Sequence, residues 1–305
     1  MQDYKLFYLK GNEMKKKKEF MEAAFHGVFL IIGLVTVACV LVISIYLIAS
    51  GMPGIKEIGV INFLFGKQWK STSSDPKYGI LPFILTSIYG TSGAIIIGVP
   101  VGFFAAVYLS KVANKRMKIV VESAVNLLAS IPSVVYGLVG MIVLLPGIRE
   151  LFNLSDGASL LAAIIVLSVM ILPSIIKVSI TALDAVPKEY EDASLALGAT
   201  PIETYFKVSV PAAKSGIAAA IVLGVGRAIG EAMAVMMVSG NAPNMPSLFQ
   251  SVRFLTTAIS SEMSYAADGS LQRQALFSIA LVLFLFIMMI NAALNFFLKN
   301  RKENK

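Results

Sequence analysis

The sequence predicts an all-α membrane protein with six transmembrane helices, and three observations lead there. Of its 305 residues, 57% are hydrophobic and 14% charged, and the mean hydropathy is +0.78; a soluble domain carries about 25% charged residues. Six long stretches are free of Lys, Arg, Asp and Glu, apart from two charges in the fifth. Each reaches the roughly 20 residues a helix needs to cross about 30 Å of hydrocarbon, whereas barrel strands would be about 10 residues long. Cys39 is the only cysteine, which excludes a disulfide scaffold. The basic residues stand at the ends of apolar runs and not on one polar face, which excludes a nucleic-acid binder.

The six predicted spans run over about Val28–Ser50, Tyr78–Ser110, Ser123–Ile148, Gly157–Ile176, Ser215–Gly240 and Ala275–Leu298. The first follows the Lys15–Lys18 run as a signal peptide would. Its apolar stretch far exceeds the 7–15 or so residues of a cleavable signal, so it reads as a retained helix. Lys and Arg then set the orientation. Eighteen of the 26 fall in the N-terminus, in the links between spans two and three and between spans four and five, and in the tail. These parts are expected in the cytoplasm, with both termini. A basic N-terminus (1–24), a six-helix permeation domain (25–298) and a basic tail (299–305) follow. Gly90, Gly93, Gly98 and Gly102 predict close helix contact in span two, and Trp69 and Tyr78 suit an interfacial aromatic belt.

Residues 187–213 form the most specified link. Pro187 stops the fourth span and suits the start of a new helix, with Glu189, Glu191 and Asp192 where the macrodipole favours acids. Gly198 supplies a stop, and Thr200-Pro201-Ile202-Glu203 reads as a capping box with proline in the first position. Two short cytoplasmic helices joined at a glycine are expected, suited to docking.

In the fifth span stand Arg227 and Glu231. Arg227 is the thirteenth of the 26 residues in Ser215–Gly240, near mid-bilayer if the helix is continuous. A charge there costs about 2.5–3.5 kcal/mol on insertion scales, and such residues face a bundle interior or an aqueous path. At i, i+4 the two share a helix face and can partly neutralise each other. An ion pair that only locks the bundle is the plainer reading. A guanidinium fork suits a phosphate-like oxyanion, and the glycines at 224, 226 and 230 leave room for one. Arg227 and Glu231 are therefore the expected substrate-pathway residues. Glu122, Asn126, Lys177, Asp184, Asn291 and Asn295 are further polar groups near span ends, explicable by snorkelling or interhelical hydrogen bonds.

The 187–213 link resembles the EAA loop of ABC-importer permeases (MetI-like fold): Glu-Ala-Ala, three residues, Gly, nine residues, then Ile-x-Leu-Pro. Here the pattern stands as Asp192-Ala193-Ser194, Gly198, then Val208-Ser209-Val210-Pro211, with the spacing kept. The resemblance implies that Glu191, Asp192, Ala193, Ser194, Gly198, Val208 and Pro211 belong to a coupling helix that meets an ATPase. Tyr78–Ile84, Ser130–Gly137, Arg227–Val235 and Asn62-Phe63-Leu64 with Trp69 resemble the permease subunit of phosphate importers of the PstC type. That likeness implies phosphate as cargo, a sister permease of the PstA type, two ATPase subunits, an extracytoplasmic phosphate-binding protein and a bacterial inner-membrane location. Asn241-Ala242-Pro243-Asn244 would mark the phosphate entrance.

A permease for sulfate, molybdate or phosphonate, the sister subunit, or a polytopic enzyme or scaffold are the alternative readings. The chain is expected to be no enzyme and to hold no cofactor: it has no G-x-x-x-x-G-K-[ST] run, so ATP would bind to a partner. His26 is the sole histidine, so neither a Ser-His pair nor a His/Cys metal cluster is expected.

Overall fold

A computed structural model describes residues 2–303, with side chains described for 21–22 and 25–293. Most of the basic segments 1–24 and 299–305, and Asn295, lie outside the residues with described side chains. The chain divides into two compact units, Met1–Ser50 and Gly51–Lys305. The described residues of the first are all helical and belong to α1 (Gln2–Ile58), whose described apolar side chains are almost all exposed. A helix apolar all round is the signature of a lipid-facing span.

In the second unit, α2 (Val60–Phe65) and a two-residue hairpin, β1 (Trp69–Lys70) with β2 (Lys77–Tyr78), precede α3 (Leu81–Val107), which runs on into a wide turn over Tyr108–Val112. Next come α4 (Lys115–Ser130), α5 (Ser133–Val139) and, after a second wide turn, α6 (Leu145–Leu151). The long α7 (Leu160–Asp184) leads to α8 (Lys188–Ala196) and α9 (Pro201–Thr204), and past the wide turn Tyr205–Ser209 to α10 (Val210–Ala212). The last helices are α11 (Lys214–Gly230), α12 (Met233–Val238), α13 (Leu255–Glu262) and α14 (Leu271–Glu303). Among the described residues, five helical segments are long and apolar enough to cross a membrane; 201–212 and 214–230, which meet at a 72° bend, reach that length only when counted together as one broken span.

Helix α7 is the axis of the fold. Small residues at 90, 94, 98 and 102 of α3 form a stripe at four-residue spacing, and α7 lies in it: Ile171 fills the space a Cβ would take at Gly98, and Ile175 does so at Gly102. With no hydrophobic drive between helices in lipid, such close backbone approach supplies the dispersion contact. On its other side Ile175 meets Gly224 of α11 in the same way.

Two predicted spans are broken. The third divides at Ile131–Pro132, both extended, because a residue before proline is pushed out of the α region; the Tyr136 hydroxyl bridges the break by donating to Leu128 O at 2.7 Å. The fifth is not a continuous helix over 215–240. It ends at Gly230, Glu231 is extended at φ −73° and ψ 129°, and α12 restarts at Met233. Beyond each break the short helices α5 and α12 meet: a Cβ at Gly137 would lie 2.9 Å from Ala234 Cα. Trp69 and Tyr78, expected in an interfacial belt, are instead buried at 4% and 7% exposure. The Trp69 ring packs edge-on to Tyr78 and tilted against Phe83.

Candidate functional site

The 187–213 loop forms as its residues dictate. Pro187 is the N-cap of α8, which begins at Lys188, one place later than expected. Gly198 turns the chain at φ 88°, a left-handed conformation that favours glycine. The Thr200–Glu203 capping box closes on both sides: Glu203 N donates to Thr200 Oγ1 at 3.3 Å, and Thr200 N donates to Glu203 Oε2 at 3.1 Å. The hydrogen bond from Lys207, with those from the Thr200 amide and hydroxyl, holds the Glu203 carboxyl down at about 2. Ser194 and Thr204 hydroxyls meet at 2.9 Å and brace the two helices against each other. Leu197, at 91% exposure, crowns the tip, flanked by exposed Tyr190 and Ile202. Asp192, Ala193, Gly198 and Pro211 are likewise exposed, while Ser194 and Val208 are half-buried.

Glu191 departs from its expected place on the docking face. It turns inward, where its Oε1 accepts from Lys111 Nζ at 2.6 Å and from the Ser209 hydroxyl at 2.8 Å. Burial raises this carboxyl, but the two hydrogen bonds and the Lys111 charge outweigh it and leave it below its usual range. Glu191 thus holds the loop to the end of the second span. Lys111 is one of the basic residues in the link between spans two and three, and no spacing links it to Glu191.

Arg227 and Glu231 do not form the expected i, i+4 pair. Their shared face exists only on a continuous helix, and among the described residues no ion pair joins them. Arg227 stands in the last turn of α11, where unpaired carbonyls and the macrodipole favour a cation. It is half-buried, and its Nη1 donates to Ser174 Oγ of α7 at 3.4 Å. Glu231 secures the restart instead: its Oε1 accepts from Ala234 N at 3.0 Å, and its carbonyl accepts from the Thr256 hydroxyl at 2.8 Å. Broken backbone at membrane depth is tolerated where it lies inside protein or lines a water-filled path, and such breaks recur at transporter binding sites. Sequence reasoning missed Ser174, whose one signal is a hydroxyl directly after Pro173 within an apolar span.

At the end of α13, Glu262 is a hub the sequence did not reveal. It accepts from Trp69 Nε1 at 2.9 Å, Ser71 Oγ at 2.8 Å and Gln272 Nε2 at 3.2 Å, and it pairs with Arg253. Arg253 Nε also donates to Asn241 O at 2.9 Å, fixing Asn241 at φ 52° after Gly240. Among the described residues, no group of His, Cys, Asp and Glu could hold a metal ion.

Residues 98–302 match the family model described as binding-protein-dependent transport system inner membrane component. The probable ABC transporter permease protein YqgH of Bacillus subtilis is 43% identical over 85% of this chain and 86% of its own length. The phosphate transport system permease protein PstC of Haemophilus influenzae is 30% identical over 90% of this chain and 94% of its own. Among solved structures, an inward-facing MetNI methionine ABC transporter matches 73% of this chain and 94% of its own at a TM-score of 0.54 and 22% identity. A bacterial alginate ABC transporter matches 89% and 92% at 0.59 and 15% identity. At those identities the structures speak for the fold.

Proposed function

Because the chain belongs to the family of binding-protein-dependent transport system inner membrane components, and so is a permease subunit of an ABC importer, we propose that it carries inorganic phosphate across the bacterial inner membrane. It supplies half of the pathway. A sister permease of the PstA type supplies the other half, two ATPase subunits drive the cycle, and an extracytoplasmic phosphate-binding protein delivers the cargo. Both termini and the 187–213 loop face the cytoplasm. ATP binds to the partner, and this chain performs no catalysis of its own.

One observation carries the reading: a half-buried guanidinium beside a helix break, with a single described hydrogen bond at 3.4 Å. Most of its fork of donors is left for a tetrahedral oxyanion, in a setting where a charge-assisted bidentate contact is strong. Glu231 works beside it by holding the break open. A lone cation in an apolar wall attracts an anion into the bundle, and a weak protein partner lets that anion leave again. Closure of the ATPases around the Leu197 tip would reach the bundle through Glu191 and Lys111 and switch it between outward-facing and inward-facing states. Phosphate enters past Asn241–Asn244, which Arg253 holds in place.

Relatives named as phosphate permeases over most of their length support phosphate over other oxyanions. The test is uptake of radiolabelled phosphate and sulfate by cells lacking this chain. Phosphate uptake lost on deletion and restored by the gene supports the reading; a defect confined to sulfate overturns it.

A further inference from the structure

The Arg227–Ser174 contact opens onto a feature the proposed function leaves unused. Ser174, Lys177, Thr181 and Asp184 fall within one arc of about 80° on α7, at about 100° per residue. Lys177 then lies about 4.5 Å, and Asp184 about 15 Å, beyond Ser174 along the axis at about 1.5 Å per residue. Against this stripe α4 presents Glu122 and Asn126. The two helices border an open chamber of roughly 490 Å³ whose polar lining is Glu122, Asn126, Lys177, Thr181 and Asp184, all but Glu122 exposed, over an apolar floor that includes Val125 and Ile180. Four of the six polar groups that the sequence left as isolated span-end residues therefore share one chamber, whose α7 members lie one to three turns beyond Ser174.

The charges in that chamber are unequally satisfied. Asp184 is held by Lys118 at 2.7 Å and by the Ser110 hydroxyl at 2.6 Å. Lys118 also stands 3.9 Å from Glu122. The Thr181 hydroxyl donates to the Lys177 carbonyl at 3.0 Å. The Lys177 ammonium makes no ion pair or hydrogen bond among the described residues. Both acids therefore answer to Lys118, and one cation faces the chamber without a partner, on the helix that Arg227 touches.

We propose that this chamber is an oxyanion subsite on the cytoplasmic side of Arg227, with the Lys177 ammonium as its cation and the Asn126 amide as a further donor. It rests on the proposed import direction and oxyanion cargo. An anion leaving Arg227 moves along the Ser174 face of α7, gains the ammonium's three donors and sheds them to water beyond Asp184. The carboxylates make this second station weaker than the first, as onward release requires.

The test uses the assembled transporter in zwitterionic-lipid nanodiscs, carrying Cys39→Ser and Thr181→Cys so that a thiol reagent reports on the chamber. Inorganic phosphate is expected to slow modification at position 181 severalfold, to lose that effect with Lys177→Gln and to keep it with Lys177→Arg. Phosphate uptake in reconstituted vesicles should fall about tenfold with Lys177→Gln, the loss of one charge-assisted contact. Sulfate protecting where phosphate does not supports the subsite and overturns the phosphate reading above. Protection that survives Lys177→Gln, or no protection by either anion, overturns the subsite. So does protection that appears only when anionic lipid replaces the zwitterionic lipid with no phosphate added, since a headgroup is then the occupant.

Discussion

Lys111 Nζ lies 2.6 Å from Glu191 Oε1, and the Ser209 hydroxyl reaches the same oxygen at 2.8 Å. One carboxylate oxygen thereby joins the end of the second span, the helix α8 and the turn that follows α9. With side chains at 10% and 18% exposure the pair is well shielded from solvent, so screening weakens it little.

Removing one partner leaves the other shielded and unpaired. Glu191→Ala is expected to cost about 1–3 kcal/mol of loop stability, the range for a charged hydrogen bond left without its acceptor. It should also lower transport per ATP hydrolysed. Lys111→Met combined with Glu191→Leu should cost less than the sum of the single changes. Thermal unfolding of the purified assembly and coupled uptake–ATPase ratios check both.

Glu203 and Glu191 both have lowered carboxyl pKa values, so their contribution is present above the unfolded value and lost as pH falls through the folded one. For Glu203 the window runs from 4.5 down to about 2. Hydrogen-exchange protection across 200–207 should therefore stay constant from pH 8 to pH 5 and decline only in more acid solution. A loss centred near pH 6 would contradict the assignment.

Gly198 has open space around its absent Cβ, so only its φ of 88° restricts it. Gly198→Val should cost about 1–2 kcal/mol through the left-handed backbone alone. Gly198→Asn should cost less, because Asn tolerates that region. Co-purification of the ATPase should weaken in the same order.

Gly137 is different, because there the neighbour is backbone. A Cβ would meet Ala234 Cα at 2.9 Å and Met237 Sδ at 2.8 Å, so Gly137→Ala must push α5 and α12 apart. Overpacking of this kind costs about 1–3 kcal/mol. Uptake should fall while membrane levels, read by immunoblot, are largely kept.

The loop was legible because its signals are local: Pro187, Gly198 and the Thr200–Glu203 box each act within four residues. The spans were legible from the absence of charge, and a close helix contact on α3 from its glycines, though not that α7 is the partner. The break after Gly230 was not. No proline marks it, and its cause includes a hydroxyl from Thr256, 25 positions away. A strong 26-residue apolar run hid it, and with it the separation of Arg227 from Glu231. The Lys111–Glu191 and Trp69–Glu262 contacts join distant stretches of chain, where pattern alone carries no information. Trp69 read as interfacial because a lone tryptophan near a span end gives no sign that an acid will come to cap its N–H.

The central claim is that Arg227 faces the anion's path. Its most direct measurement is phosphate uptake by cells carrying Arg227→Gln, with membrane levels and ATPase co-purification confirmed alongside. A normally assembled variant that has lost uptake is the predicted result; a normally assembled variant that imports phosphate at the parental rate would contradict it.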